Sequence, residues 1–112
     1  MKDGEKRRNE SKAAFKYMVD TAKAAGFNFT KYEDFHFGNI CEILRKLGGP
    51  EREISGKPYE KFFLHGMSPL NYDRMLYVKE TAEAVGLEVK KDTAFNIEFI
   101  AEIMKRLQEG KE

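Results

Sequence analysis

Four carboxylates gather in the second half of the chain: Glu80 and Glu83 lie one helical turn apart, and Glu98 and Glu102 follow on a second amphipathic stretch. Carboxylates converging from facing helices can hold a divalent metal that polarises a substrate and activates water. The rest of the sequence gives this set little company. In an internal repeat offset by sixty residues, Glu83 aligns with Lys23 and Glu98 with Gly38, so only the second copy can hold the set. A solvated acidic surface is the commoner role of such residues. The other metal-ligating side chains are His36, Cys41 and His65. His36 and Cys41 are five residues apart and diverge by about 140° on a helix. His36 reads as a polar residue at a helix start, and His65, beside Gly66, as one at a helix end. No metal, cofactor or catalytic residue is expected.

The carboxylate set is loosely similar to that of helical nucleotide pyrophosphohydrolases but lacks a full motif, and no family membership follows. A calcium-binding hand would need oxygen ligands at alternating loop positions, whereas Phe27, Phe29, Leu87 and Val89 occupy the loops here. The chain has no GxSxG, phosphate-binding glycine loop, CxxC or Cys–His pattern, so nucleophilic catalysis has no visible carrier. Nucleic-acid contact has one candidate region. Residues 1–31 hold eight basic side chains against four acidic, and the remainder twelve against fifteen. Lys6, Arg7, Arg8, Lys12 and Lys16 would be the contacts. The second helix of each copy is mixed in charge, with basic residues at its C-terminal end where the helix dipole already favours them.

The elements that must position these residues come from the repeat itself. Residues 17–47 and 77–107 align without a gap and are identical at 11 of 31 positions, where average composition gives roughly two. In the first helix of each copy, Phe15, Met18, Val19, Ala22 and Ala25 recur at spacings of three and four, as do Met75, Val78, Ala82 and Val85. Each helix then meets Gly26-Phe27 or Gly86-Leu87, the signature of a left-handed helix stop. Ser68-Pro69 is the corresponding start signal. The second helix carries Ile40, Ile43, Leu44 and Leu47, answered by Ile100, Ile103, Met104 and Leu107. Phe27-Asn28-Phe29 and Leu87-Glu88-Val89 alternate apolar and polar, which admits a minimal two-stranded ribbon.

The expected fold is all-α and a single domain over 1–112: two duplicated helical hairpins in a compact four-helix arrangement. Copy one covers about 12–47, copy two about 68–108, and a connector over 48–67 includes a short crossover helix opened by Pro58. Residues 1–10 and 109–112 are expected to be flexible. Hydrophobic content of 41% and charged content of 35% fit a solvated globular chain. No apolar run is long enough to span a bilayer, the start MKDGEKRRNESK lacks the stretch of a secretory signal, and the single cysteine permits a reducing compartment. A cytoplasmic location with no membrane partner is expected. The leading functional expectation is a non-enzymatic protein-protein interaction or regulatory module that binds a protein or itself. Tyr32, Phe35, Phe37, Tyr59, Phe62 and Phe63 form its expected contact region, because aromatic side chains near loops are favoured interface anchors. Nucleic-acid binding through the basic start is the second reading, and a metal-dependent hydrolase with carboxylates on the second hairpin the third.

Overall fold

Helix α1 runs Lys2–Ala24, α2 Phe37–Lys46, α3 Pro69–Ala84 and α4 Ile97–Glu109 in a computed structural model that describes residues 2–62, 64 and 66–110, with side chains from residue 9 onward. Ser68 accepts the Asn71 amide at 3.1 Å and Pro69 takes the first helical position, so α3 begins as its sequence requires. Asn96 starts α4 in the same way, its Oδ1 accepting the Phe99 amide at 2.9 Å. Gly26 and Gly86 stop α1 and α3 at φ of 96° and 86°. Around each glycine the same two bonds form: the Phe27 and Leu87 amides reach back to the carbonyls of Ala22 and Ala82, and the glycine amides to Lys23 and Glu83. This is the paired 6→1 and 5→2 pattern that satisfies otherwise orphaned carbonyls.

A side chain at either glycine meets open space, since a Cβ on Gly26 has no neighbour within 4 Å and one on Gly86 meets only Arg106 at 3.6 Å. The cost of substitution is therefore conformational. Gly26→Ala and Gly86→Ala are each expected to lose about 1–2 kcal/mol of stability, by similar amounts, in urea denaturation. A neutral result at both positions would show that the left-handed stops carry no strain.

The core is assembled from residues sixty positions apart. Ala22 and Ala82, Ile40 and Ile100, Ile43 and Ile103, and Leu44 with Met104 are all buried. Thr21 and Thr81 are buried beside them, and Thr81 satisfies its hydroxyl by donating to the Tyr77 carbonyl at 2.7 Å. The extensive helix contacts run between the halves, α1 with α4 and α2 with α3. The expected hairpin pairings, α1 with α2 and α3 with α4, are the lesser ones. A long link explains this: residues 25–36 and 85–96 carry each second helix away from its own first helix.

Two further expectations need correcting. Among the described residues there is no strand, so the ribbon of Phe27–Phe29 and Leu87–Val89 does not form. These side chains pack on the core instead. Phe27 and Phe29 stack with ring centroids 5.0 Å apart, as residues two apart in an extended segment point the same way. The crossover helix is reduced to a single 3-10 turn over Lys57–Tyr59. The connector there is pressed onto α3, since a Cβ on Gly56 would lie 2.7 Å from the Leu70 amide nitrogen. Phe63 and His65 lie outside the described residues. Among those described, no helix is long and apolar enough to cross a membrane.

Candidate interaction surface

The link between α1 and α2 forms most of the site, and Asp34 gives it shape. Its Oδ2 accepts the backbone amides of Lys31 and Thr30 at 2.9 and 3.0 Å, closing a 3-10 turn over Tyr32–Asp34. Those two bonds hold its carboxyl below the usual carboxylate range. Asn39 Nδ2 donates to the Asp34 carbonyl at 2.7 Å and ties the turn to α2. The second half makes its corner differently, with Thr93 Oγ1 accepting the Lys90 amide at 2.7 Å.

The corner delivers Tyr32, Phe35, His36 and Phe37 to a concavity of about 270 Å³. Phe15 and Met18 of α1 close one side, Phe95 comes from the link before α4, and Ile97 and Ile100 from its first turn. Edge-to-face ring contacts knit these walls: Phe15 with Phe35 at 5.6 Å, and Phe37 with Phe95 at 6.4 Å. Four pairs of positions sixty apart meet here, 35 with 95, 36 with 96, 37 with 97 and 40 with 100. The concavity is thus shared by both halves of the chain, and they differ at two of the four pairs, His36 against Asn96 and Phe37 against Ile97. Asn96 spends its oxygen on capping α4, whereas His36 occupies the same position of α2 without a side-chain capping bond.

The six expected contact residues divide between two places. Tyr32 is 66% exposed at the mouth of the concavity, with Phe35 and Phe37 half-buried within it. Tyr59 and Phe62 form a separate patch against Tyr72 of α3, with ring centroids 5.8 Å apart for Tyr59–Phe62 and 4.9 Å for Tyr59–Tyr72. Phe62 is 60% exposed there. Phe63 falls outside the described residues.

Of the expected nucleic-acid contacts, Lys12 is exposed and Lys16 pairs with Asp20 at 2.8 Å on the solvent-facing side of α1. The side chains of Lys6, Arg7 and Arg8 lie outside those described. The four carboxylates do not converge. Glu80 takes Arg52 at 2.7 Å, Glu98 accepts from Ser11 of α1, Glu102 takes Arg106 at 3.0 Å, and Glu83 is exposed. Among the described residues no three His, Cys, Asp or Glu side chains form a metal-holding group. Cys41 is buried, its thiol donating to the Arg74 carbonyl at 3.4 Å, and burial pushes its pKa up to about 11. A thiol held that far from ionisation is a poor nucleophile at neutral pH.

The sequence reading missed a polar network that pins the connector. Asp73 of α3 is 3% exposed and accepts both terminal nitrogens of Arg52 at 3.0 Å, together with the Ser55 amide at 2.7 Å. Arg52 also reaches Glu80 and lies over the Tyr77 ring, whose hydroxyl donates to the Pro50 carbonyl at 2.6 Å. A signal was present: Asp73, Tyr77 and Thr81 stand at i, i+4 and i+8, so a carboxylate sits on the stripe that faces the core. No protein family, characterised protein or solved structure was found to match the chain.

Proposed function

We propose that this is a non-enzymatic cytoplasmic interaction module, a fused duplicate of one two-helix unit, that presents its aromatic concavity to a protein partner or to a second copy of itself. The observation that carries the reading is Tyr32, a large ring 66% exposed at the mouth of a concavity walled by Phe15, Phe35, Phe37 and Phe95. Exposed aromatic residues around an apolar depression are the usual anchors of protein recognition. The sixty-residue repeat supports the duplication. The other readings draw less support, because Lys16 is already paired, three of the four carboxylates are spent on separate partners and Glu83 is exposed.

The test compares wild type with Tyr32→Asp, a change at an exposed position that leaves the core untouched. Light scattering across a hundredfold range of concentration reads self-association, and quantitative capture from source-cell extract with each protein as bait reads other partners. A dimer, or a defined partner, that is present with wild type and lost with Tyr32→Asp supports the proposal. A monomer whose captured proteins are the same for both baits would falsify it.

A further inference from the structure

The concavity is too small for a drug-sized molecule and has cationic chemistry at its border, and together these limit what it can receive. At about 270 Å³ it lies just below the usual range of small-molecule sites. That is room for one ring on a short stem. Its walls present ring edges and faces, which favour another aromatic group. Asn71 of α3 and Asn96 bring side-chain amides to the lining.

The border carries the charge. Gly38 sits at the turn into α2, and a Cβ placed there would lie 3.2 Å from two atoms of the His36 ring and 3.3 Å from Arg74 Cζ. The imidazole and the guanidinium thus both approach the open side of Gly38, where a Cβ would crowd their ends. His36 faces the concavity, and Arg74 opens onto a neighbouring groove of about 260 Å³ lined by Gly38, Glu42, Arg45 and Leu70. Two arginines face a single carboxylate in that groove. Among the described residues Arg74 enters none of the ion pairs, and its guanidinium donates no hydrogen bond. A half-buried guanidinium left in this state is suited to a carboxylate, which its planar fork binds through two parallel bonds.

We propose that the concavity receives an aromatic side chain of a partner protein and that Arg74, beside His36, binds a carboxylate carried on the adjacent residue of that partner. This rests on the interaction reading and specifies its chemistry: an acidic segment anchored by one ring. The ring fills the depression among Phe15, Phe35, Phe37 and Phe95, and the two asparagines face the partner backbone.

The probe is the capped dipeptide N-acetyl-Asp-Phe-amide, titrated into the full chain while backbone amide NMR shifts are followed. Shifts centred on residues 35–40 and 95–100 are expected. Replacing Asp by Asn, or Phe by Ala, in the probe is expected to weaken binding about tenfold, as loss of one charge-assisted contact or one buried ring does. Arg74→Gln, which keeps much of the stem, is expected to erase the difference between the Asp and Asn probes. Equal binding of those two probes to wild type overturns the assignment without needing any variant, as do shifts centred elsewhere. Tighter binding of free 3-phenylpropionate than of the dipeptide also overturns it, making the occupant a small molecule. None of these results depends on the comparison of baits, so the partner chemistry can fail while the interaction reading stands.

Discussion

Arg52→Ala is expected to cost about 3–5 kcal/mol of folding stability at neutral pH, the range seen when one member of a buried ion pair is removed. The size follows from what is left behind. Asp73 is 3% exposed and accepts three hydrogen bonds, two from Arg52 and one from the Ser55 amide. Without the guanidinium it keeps the amide and loses its counter-charge. The same change frees Glu80 and uncovers the face of the Tyr77 ring. Asp73→Ala is expected to cost less, about 1–3 kcal/mol, because the Arg52 side chain is 30% exposed and retains Glu80 and water. Urea denaturation of the two variants checks the order. A loss from Arg52→Ala smaller than that from Asp73→Ala contradicts this account.

The pair also sets a sign for the pH dependence. Burial alone raises the pKa of Asp73, but the hydrogen bonds from Arg52 and the Ser55 amide outweigh it and hold the folded value below that of the unfolded chain. Through that acidic range the unfolded chain binds more protons, so stability rises with pH. The contribution is complete above the unfolded value of about 3.9 and is lost as pH falls through the folded one. In Arg52→Ala burial is opposed only by the Ser55 amide, and the folded value is expected to move above the unfolded one. The slope of the Asp73 contribution then reverses, and the variant's deficit relative to wild type shrinks as pH falls from neutrality toward 4. A deficit that stays constant over that interval disproves the reversal.

Helix positions were legible in the sequence because their signals are local. Ser68-Pro69, Gly26-Phe27 and Gly86-Leu87 each fix a cap through bonds spanning a few residues, and the structure has those bonds. The 3.6-residue stripes likewise gave Ile40, Ile43, Ile100 and Ile103 as core. Helix pairing was not legible, since a stripe says that a face is buried without saying against what. The connector was misread for a related reason. Pro58 marks a permissible helix start, yet the chain there is held by Gly56 against Leu70 and by Arg52 against Asp73, contacts made across some fourteen to twenty-one residues. The interaction surface was legible in composition only. Tyr32, Phe35 and Phe37 could be picked out as aromatic residues near a loop, but their separation from Tyr59 and Phe62 depends on the path of the connector. Arg74 was invisible, because a guanidinium unpaired among the described residues is defined by its surroundings.

Ile43→Ala and Ile103→Ala are each expected to cost about 2–5 kcal/mol, the range for emptying a fully buried aliphatic site. Both residues are at 0% exposure, one on α2 and one on α4, at positions sixty apart. Matched burial argues for matched losses. The pairing of helices says how those losses appear. With α1 seated on α4 and α2 on α3, each half of the chain has its apolar faces covered mainly by the other half. Neither half can then open without exposing the core of both, which is the condition for a single cooperative transition. Either substitution should therefore lower one shared unfolding midpoint, with an unchanged dependence on denaturant. Far-ultraviolet circular dichroism reports helix content, and tyrosine fluorescence in a chain whose tyrosines other than Tyr77 are replaced by Phe reports the surroundings of Tyr77 in α3. In Ile103→Ala the two signals should still coincide, even though the lesion is in α4. A melt in two steps, with the Tyr77 signal surviving after much of the helix is lost, indicates halves that fold independently and a core that is not shared.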